Sequence, residues 1–168
     1  MSEEAEENLE RARRYAAARG IEITGRLGWG IHGSVWEVTH KERNFPWALK
    51  LHRHPAPWRR ERDCYRRLQE MGTSHIAGVH LPQFIREDEE WLALEMTIVT
   101  RPFLLDFGTA WLDERPDFPP DVWQQAEADA AEKFGEEDWP RASAIIHALE
   151  SETGIIMGDV HPGNLALR

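Results

Sequence analysis

The strongest constraint on the fold is a change of hydrophobic period around a glycine-rich turn. Ile21 to Leu27, Ser34 to His40 and Pro46 to His52 read as three strands, and Gly28-Trp29-Gly30-Ile31-His32-Gly33-Ser34-Val35 joins the first two. A dinucleotide-binding turn must lead into a helix, and Ser34-Val35-Trp36-Glu37-Val38 does not read as one, so the turn belongs to a hairpin. Glycines there let backbone amides close over an anion, although the same pattern also describes an ordinary turn. The third strand adds Trp47-Ala48-Leu49-Lys50-Leu51, which sets one of only three lysines inside an apolar run. Burying an ammonium is costly unless an anion answers it, whereas on an edge strand the same side chain would reach water.

Around these strands the period is helical. Ser2 to Arg19 has acids in its first half, arginines in its second, Leu9, Ala12 and Ala16 on one face, and Gly20 as a stop. A helix over Pro57 to Met71 carries Glu61, Tyr65 and Leu68 along one side and ends at Gly72. Strands follow at Leu81 to Arg86 and Trp91 to Val99, the latter apolar enough to be buried on both faces. After the short apolar run Pro102 to Phe107 and a proline-marked loop at Arg115 to Pro120 come helices over Asp121 to Phe134 and from Pro140 to Leu149, stopped by Gly154. The order is strands with one inserted helix and then helices: an α+β chain in two small lobes.

At 168 residues the expectation is a single domain, 1–168. A net charge of −10 argues against general nucleic-acid binding, which needs cations to neutralise phosphates. Arg59, Arg60, Arg62, Arg66 and Arg67 are a local exception and read first as a solvated helix face. Cys64 is the only cysteine, which rules out an internal disulfide and suits a reducing compartment. The acidic start resembles neither a secretory signal nor a membrane span, so a cytoplasmic location is expected, with no membrane partner.

Near the end stands Ile155-Ile156-Met157-Gly158-Asp159-Val160-His161-Pro162-Gly163-Asn164-Leu165. An aspartate to orient a hydroxyl and, five positions on, an asparagine to hold magnesium are components of a phosphoryl-transfer site. Glu61, on the inward face of the second helix, is the natural anion for Lys50, and Asp63 lies off that face. Taken together from Ile21 to Leu165, these motifs resemble the protein-kinase-like superfamily, and Gly158 to Asn164 is most similar to its small-molecule and atypical branches, such as aminoglycoside and choline kinases.

That resemblance implies a protein-kinase-like fold: an N-terminal helix (1–20), a five-stranded antiparallel N-lobe with one inserted helix (21–100) and a reduced, mostly helical C-lobe (101–168). It implies ATP and Mg2+ as cofactors, with Asp159 as catalytic base, Lys50 as phosphate clamp, Glu61 as its partner and Asn164 as a metal ligand. Gly28, Gly30, Gly33, Val35, Ala48, Lys50 and Glu95 would meet the nucleotide, and His161 would be a structural loop residue. The acceptor would be an unidentified hydroxyl compound or a protein partner.

One element departs from the pattern. The metal-binding Asp-Phe-Gly of kinases follows the catalytic asparagine, yet only four residues follow Asn164, and Asp106-Phe107-Gly108 stands upstream. Asp106 is then a transposed second metal ligand, or a helix or turn cap near the adenine-binding hinge that the resemblance places after Trp91 to Met96, with the tripeptide a coincidence, or the true motif lies outside a fragment. An active phosphotransferase and a pseudokinase acting as a binding module both remain open, as does a partner-binding role for exposed tryptophans such as Trp29.

Overall fold

The computed structural model of the chain describes residues 3–168. In chain order the elements are α1 (Glu3–Arg19), β1 (Ile21–Gly30), β2 (Gly33–His40), β3 (Arg43–His52), α2 (Pro55–Met71), β4 (His75–Ile76), β5 (Val79–His80), β6 (Phe84–Asp88) and β7 (Ala93–Met96). Then come β8 (Phe103–Leu104), β9 (Trp111–Leu112), α3 (Pro120–Thr153), β10 (Ile155–Ile156) and β11 (Leu165–Ala166). The expected start of α1 at Ser2 lies outside the described residues. Two compact units result, one of residues up to Trp58 with Phe84–Ile98, the other of Arg59–Gln83 with Val99–Arg168.

The first unit is a five-stranded antiparallel sheet in the order β1-β2-β3-β7-β6, so β3 is central. Side chains alternate between its faces. Trp36, Val38, Leu49, Leu51 and Ala93 pack with Ala12, Tyr15 and Ala16 of α1 in one core. Acids in the first turn of α1 and Arg19 in its last favour the helix dipole. Arg11 fastens the helix to the sheet, donating to the carbonyls of His52 (2.8 Å) and Trp91, and burial holds its guanidinium below the usual value, with Glu7 opposing.

The two-residue turn Ile31-His32 joins Gly30 and Gly33, which pair across the hairpin. Gly33 has a packing reason to be glycine, because an added Cβ would lie 2.0 Å from the carbonyl oxygen of Leu51 in β3. Strand β7 is buried at every position, as its continuous apolar run predicts. It is shorter than expected, since Leu92 turns at φ 49° and the ladder starts at Ala93. The preceding strand begins at Phe84, not Leu81.

In the second unit the later half of α2 buries Glu61, Cys64, Tyr65 and Leu68, one stripe at helical spacing. Beside it are a four-stranded sheet β11-β8-β5-β4 and the pair β10-β9. Helix α3 is two helices joined at Gly135, whose φ of 76° and ψ of 171° are not helical. The second half therefore starts before Pro140, correcting the expectation that this proline opens it; Pro140 sits early in that half, where a missing N–H removes few helical bonds. Three arginines of α2 are used internally: Arg60 lies 4.1 Å from the Trp111 ring centroid, Arg62 pairs with Asp63 at 2.8 Å, and Arg67 grips both Asp113 oxygens at 2.8 and 2.7 Å.

Gly33→Ala should destabilise the chain by about 1–3 kcal/mol, the usual range for overpacking. Gly30→Ala, whose methyl meets nothing within 4 Å, should stay within about 0.5 kcal/mol of the native protein. Urea unfolding followed by circular dichroism compares the two. Equal stability would mean that β2 and β3 do not approach this closely.

Candidate functional site

In the first unit, strand pairing decides which predicted residues share a face. Gly28 pairs with Val35, Val35 with Lys50, Lys50 with Leu94 and Ala48 with Met96, so Gly28, Val35, Ala48 and Lys50 lie on the sheet face opposite α1. Lys50 is only 6% exposed on the central strand, which removes the solvent-facing edge reading. Glu95 belongs to the other face. Its carboxylate accepts from the Tyr15 hydroxyl (2.6 Å) and from Trp47 Nε1 (2.9 Å), beneath α1. Burial first, then Glu95, pushes the Tyr15 phenol well above its usual range, so it stays a donor. Trp29 is partly exposed, with the Arg53 guanidinium 5.1 Å from its ring centroid and Arg53 paired to Glu4 at 2.8 Å.

In the second unit two segments far apart in sequence run side by side. Phe103 and Leu104 pair antiparallel with Ala166 and Leu165, and the Leu105 N–H donates to the Asn164 carbonyl at 2.9 Å. On the far side of the turn, Trp111 and Leu112 pair with Ile156 and Ile155. Between these ladders lie Asp106-Phe107-Gly108 on one segment and Gly158 to Asn164 on the other. The approach is close enough that a Cβ on Gly158 would stand 2.4 Å from the Thr109 carbonyl oxygen.

Within the loop, Asn164 is 3% exposed and does structural duty with both ends of its amide. Nδ2 donates to the Asp159 carbonyl (2.8 Å) and Oδ1 accepts from the His161 N–H (3.0 Å). His161 is a loop residue: its Nδ1 accepts from the Gly163 N–H at 3.0 Å, so the neutral ring carries its proton on Nε2, which lies 3.8 Å from Asp159 Oδ2. The Asp159 side chain is 55% exposed, and Lys133 Nζ stands 3.9 Å from its other oxygen. Lys133 was not singled out from sequence. Its scarcity as one of three lysines was the available signal, but nothing in chain order links it to Asp159.

Asp106 adopts φ 68°, a conformation that Asp tolerates better than most residues. It is followed by Phe107, fully buried and edge-on to Tyr65 of α2 with ring centroids 5.2 Å apart. Glu61 is one turn before Tyr65 and is 1% exposed. Burial chiefly, then the charges of Glu61 and Asp106, drives the Tyr65 phenol far above its usual range. Glu61, Tyr65, Phe107 and Asp106 therefore form one connected cluster.

The Asp106 carboxylate and Asn164 Oδ1 are hard oxygen donors of the kind a magnesium ion accepts. Among the described residues no group of three or more His, Cys, Asp or Glu is placed to hold a metal unaided. Nor is any helix there long and apolar enough to cross a membrane.

No protein-family model matches the chain. No curated protein matches it. Among solved structures, the kinase domain of Mycobacterium tuberculosis PknI is similar at 21% identity and a TM-score of 0.41, the match covering 86% of this chain and 53% of that one. This chain thus spans about half the length of that domain.

Cys64 reports on the buried stripe of α2. Burial first, then Glu61 and Asp63, raises its thiol well above the usual range. A thiol reagent at pH 8 should therefore leave the folded protein unmodified and react at the rate of unfolding. Because the folded value is the higher one, the associated stability is complete below the unfolded thiol value of about 8.5 and declines as pH rises above it. Rapid labelling under native conditions would contradict the packing of Glu61, Cys64 and Tyr65 described above.

Proposed function

We propose that the chain binds ATP with Mg2+ and transfers the γ-phosphoryl group to a hydroxyl acceptor. The carrying observation is the pair of short ladders that set the Asp106 turn beside the Asp159–Asn164 loop although chain order is inverted. It favours the transposed-motif account of Asp106, because a site is defined by where oxygens stand and not by the order in which the chain supplies them.

On this reading Asp159, half exposed, receives the acceptor hydroxyl and takes its proton. Lys50 and the glycine hairpin face hold phosphates, with Val35 and Ala48 on the same sheet face beneath the base. By the kinase resemblance, Glu61 would be the positioning partner of Lys50. Asn164 Oδ1 and the Asp106 carboxylate would hold the metal, which when bound supplies positive charge against the phosphate oxygens. Glu95 would contribute no side-chain contact, because both its oxygens are engaged under α1.

The second reading, a pseudokinase, draws on one specific observation. Asn164 Oδ1 already accepts a hydrogen bond, so a single lone pair remains for a cation.

Thermal-shift titration separates these. ATP with magnesium should stabilise the protein by about 2.7 kcal/mol at a hundredfold excess over Kd, and by clearly less without the metal. Asp106→Ala and Asn164→Ala should each abolish the metal-dependent part. An unchanged shift in Asp106→Ala would end the transposed-ligand assignment, and no ATP stabilisation at all would end nucleotide binding. Asp159→Asn should keep the shift while lowering phosphoryl transfer roughly 10²–10⁴-fold, the usual contribution of a general base. Transfer that survives intact in that variant would show that Asp159 is not the base.

A further inference from the structure

The four-stranded sheet β11-β8-β5-β4 ends in a hairpin that sets two of the chain's eight histidines opposite one another. Ala77 and Gly78 join its strands with φ of 46° and 84°, the positive values that a two-residue turn between twisted strands requires. Ile76 pairs with Val79, and His75 with His80. Side chains alternate along a strand, so Ile76 and Val79, 1% and 0% exposed, hold one face of the hairpin in the core and leave both imidazoles on the other.

Main-chain hydrogen bonds fix the type of pair. The His80 N–H donates away from His75, to the Pro102 carbonyl at 2.9 Å, and the next residue's N–H, that of Leu81, reaches across to the Ser74 carbonyl at 2.9 Å. His75 and His80 thus form a non-hydrogen-bonded pair, the kind in which facing side chains stand closest. Their ring centroids are 4.6 Å apart with the planes tilted by 58°. Ser74 Oγ lies 2.9 Å from His75 Nδ1. A ring that donates its Nδ1–H to that oxygen keeps its lone pair on Nε2, the arrangement by which an imidazole is oriented toward a metal. His75 is exposed and His80 partly exposed, so an ion reaches both without any opening of the core.

We propose that His75 and His80 form a two-point site for a divalent transition-metal ion of the zinc type. Neutral imidazoles suit zinc, copper and nickel, whereas magnesium and calcium take oxygen. Among the described residues no third His, Cys, Asp or Glu joins the pair, so the other positions of a tetrahedral ion go to water or to an external donor. The turn already holds the two rings side by side, and binding therefore costs little in ordering. The ion ties β4 to β5 at one end of the sheet, which continues through β8 to β11, the strand that leaves the Asp159–Asn164 loop. Nothing in the site depends on nucleotide binding or phosphoryl transfer.

Isothermal titration of the full chain, stripped of metal with a chelator and then dialysed, tests it with Zn2+ in the presence and absence of excess Mg2+. The variants are His75→Gln and His80→Gln, with His54→Gln and His147→Gln as controls at exposed positions elsewhere. The expected result is one zinc ion per chain, indifferent to magnesium and unchanged in both controls. Affinity should fall about tenfold or more in His75→Gln and in His80→Gln, because losing either imidazole turns a chelate into a single contact. A zinc-dependent rise in Tm should disappear in the same two variants. No zinc binding by the native chain, unaltered affinity in His75→Gln or His80→Gln, or an equal loss in a control would each overturn the site. Should a variant misfold, substoichiometric Cu2+ added to the native protein gives a second readout by nuclear magnetic resonance. Its paramagnetism should broaden the ring signals of His75 and His80 together and ahead of those of His54 and His147, and broadening that spares either member of the pair would equally overturn the site.

Discussion

Two ladders of two residues each hold the second unit's polar loops in place. Strands this short are marginal alone, and they persist because Leu104, Phe107, Ile155 and Leu165 are all fully buried around them. The burial of these four side chains and the main-chain bonds support one another. Between the ladders the chain can then adopt conformations that would be unfavourable in isolation, such as the positive φ of Asp106 and the tight approach of Gly158 to Thr109. Backbone hydrogen bonds carry no memory of which segment was written first, so segments far apart in sequence pair as neighbours would.

Charge is divided between groups committed to structure and groups left available. Glu95 answers Tyr15 and Trp47, Asp113 answers Arg67, and Glu150 answers Arg115, each at hydrogen-bond distance. The Arg67 bond holds the Asp113 carboxyl below its ordinary range, a direct sign of that commitment. Asp159 differs. His161 and Lys133 stand 3.8 and 3.9 Å from its oxygens, too far for tight pairing, and more than half of its side chain is open. The proposed role of receiving an acceptor hydroxyl would need that freedom, which an acid fixed by a bidentate guanidinium lacks.

Much of this was legible in the sequence because period and spacing are local. The glycine hairpin, the helical stripe through Glu61, Tyr65 and Leu68, and a lysine inside an apolar strand each follow from a few consecutive residues. Three things were not. Strands β4, β5 and β9 are two residues long, too short to show any period. Glu95 sits in a strand buried at every position, so alternation could not reveal which face its carboxylate takes. The proximity of Lys133 to Asp159, and of Phe107 to Tyr65, arises from tertiary packing that leaves no mark on neighbouring residues.

The identity of residue 164 illustrates how loop closure and ligation share one side chain. Its Nδ2 must donate to the Asp159 carbonyl and its Oδ1 must accept from the His161 N–H, so the loop requires a donor and an acceptor on a single short stem. Aspartate would supply two acceptors and set a carboxylate oxygen against that carbonyl, which is repulsive in a group only 3% exposed. Asparagine satisfies both partners and still keeps one lone pair on Oδ1. The hydrogen bonds that shape the loop thus also orient the one oxygen a cation would use, with no further side chain needed to aim it.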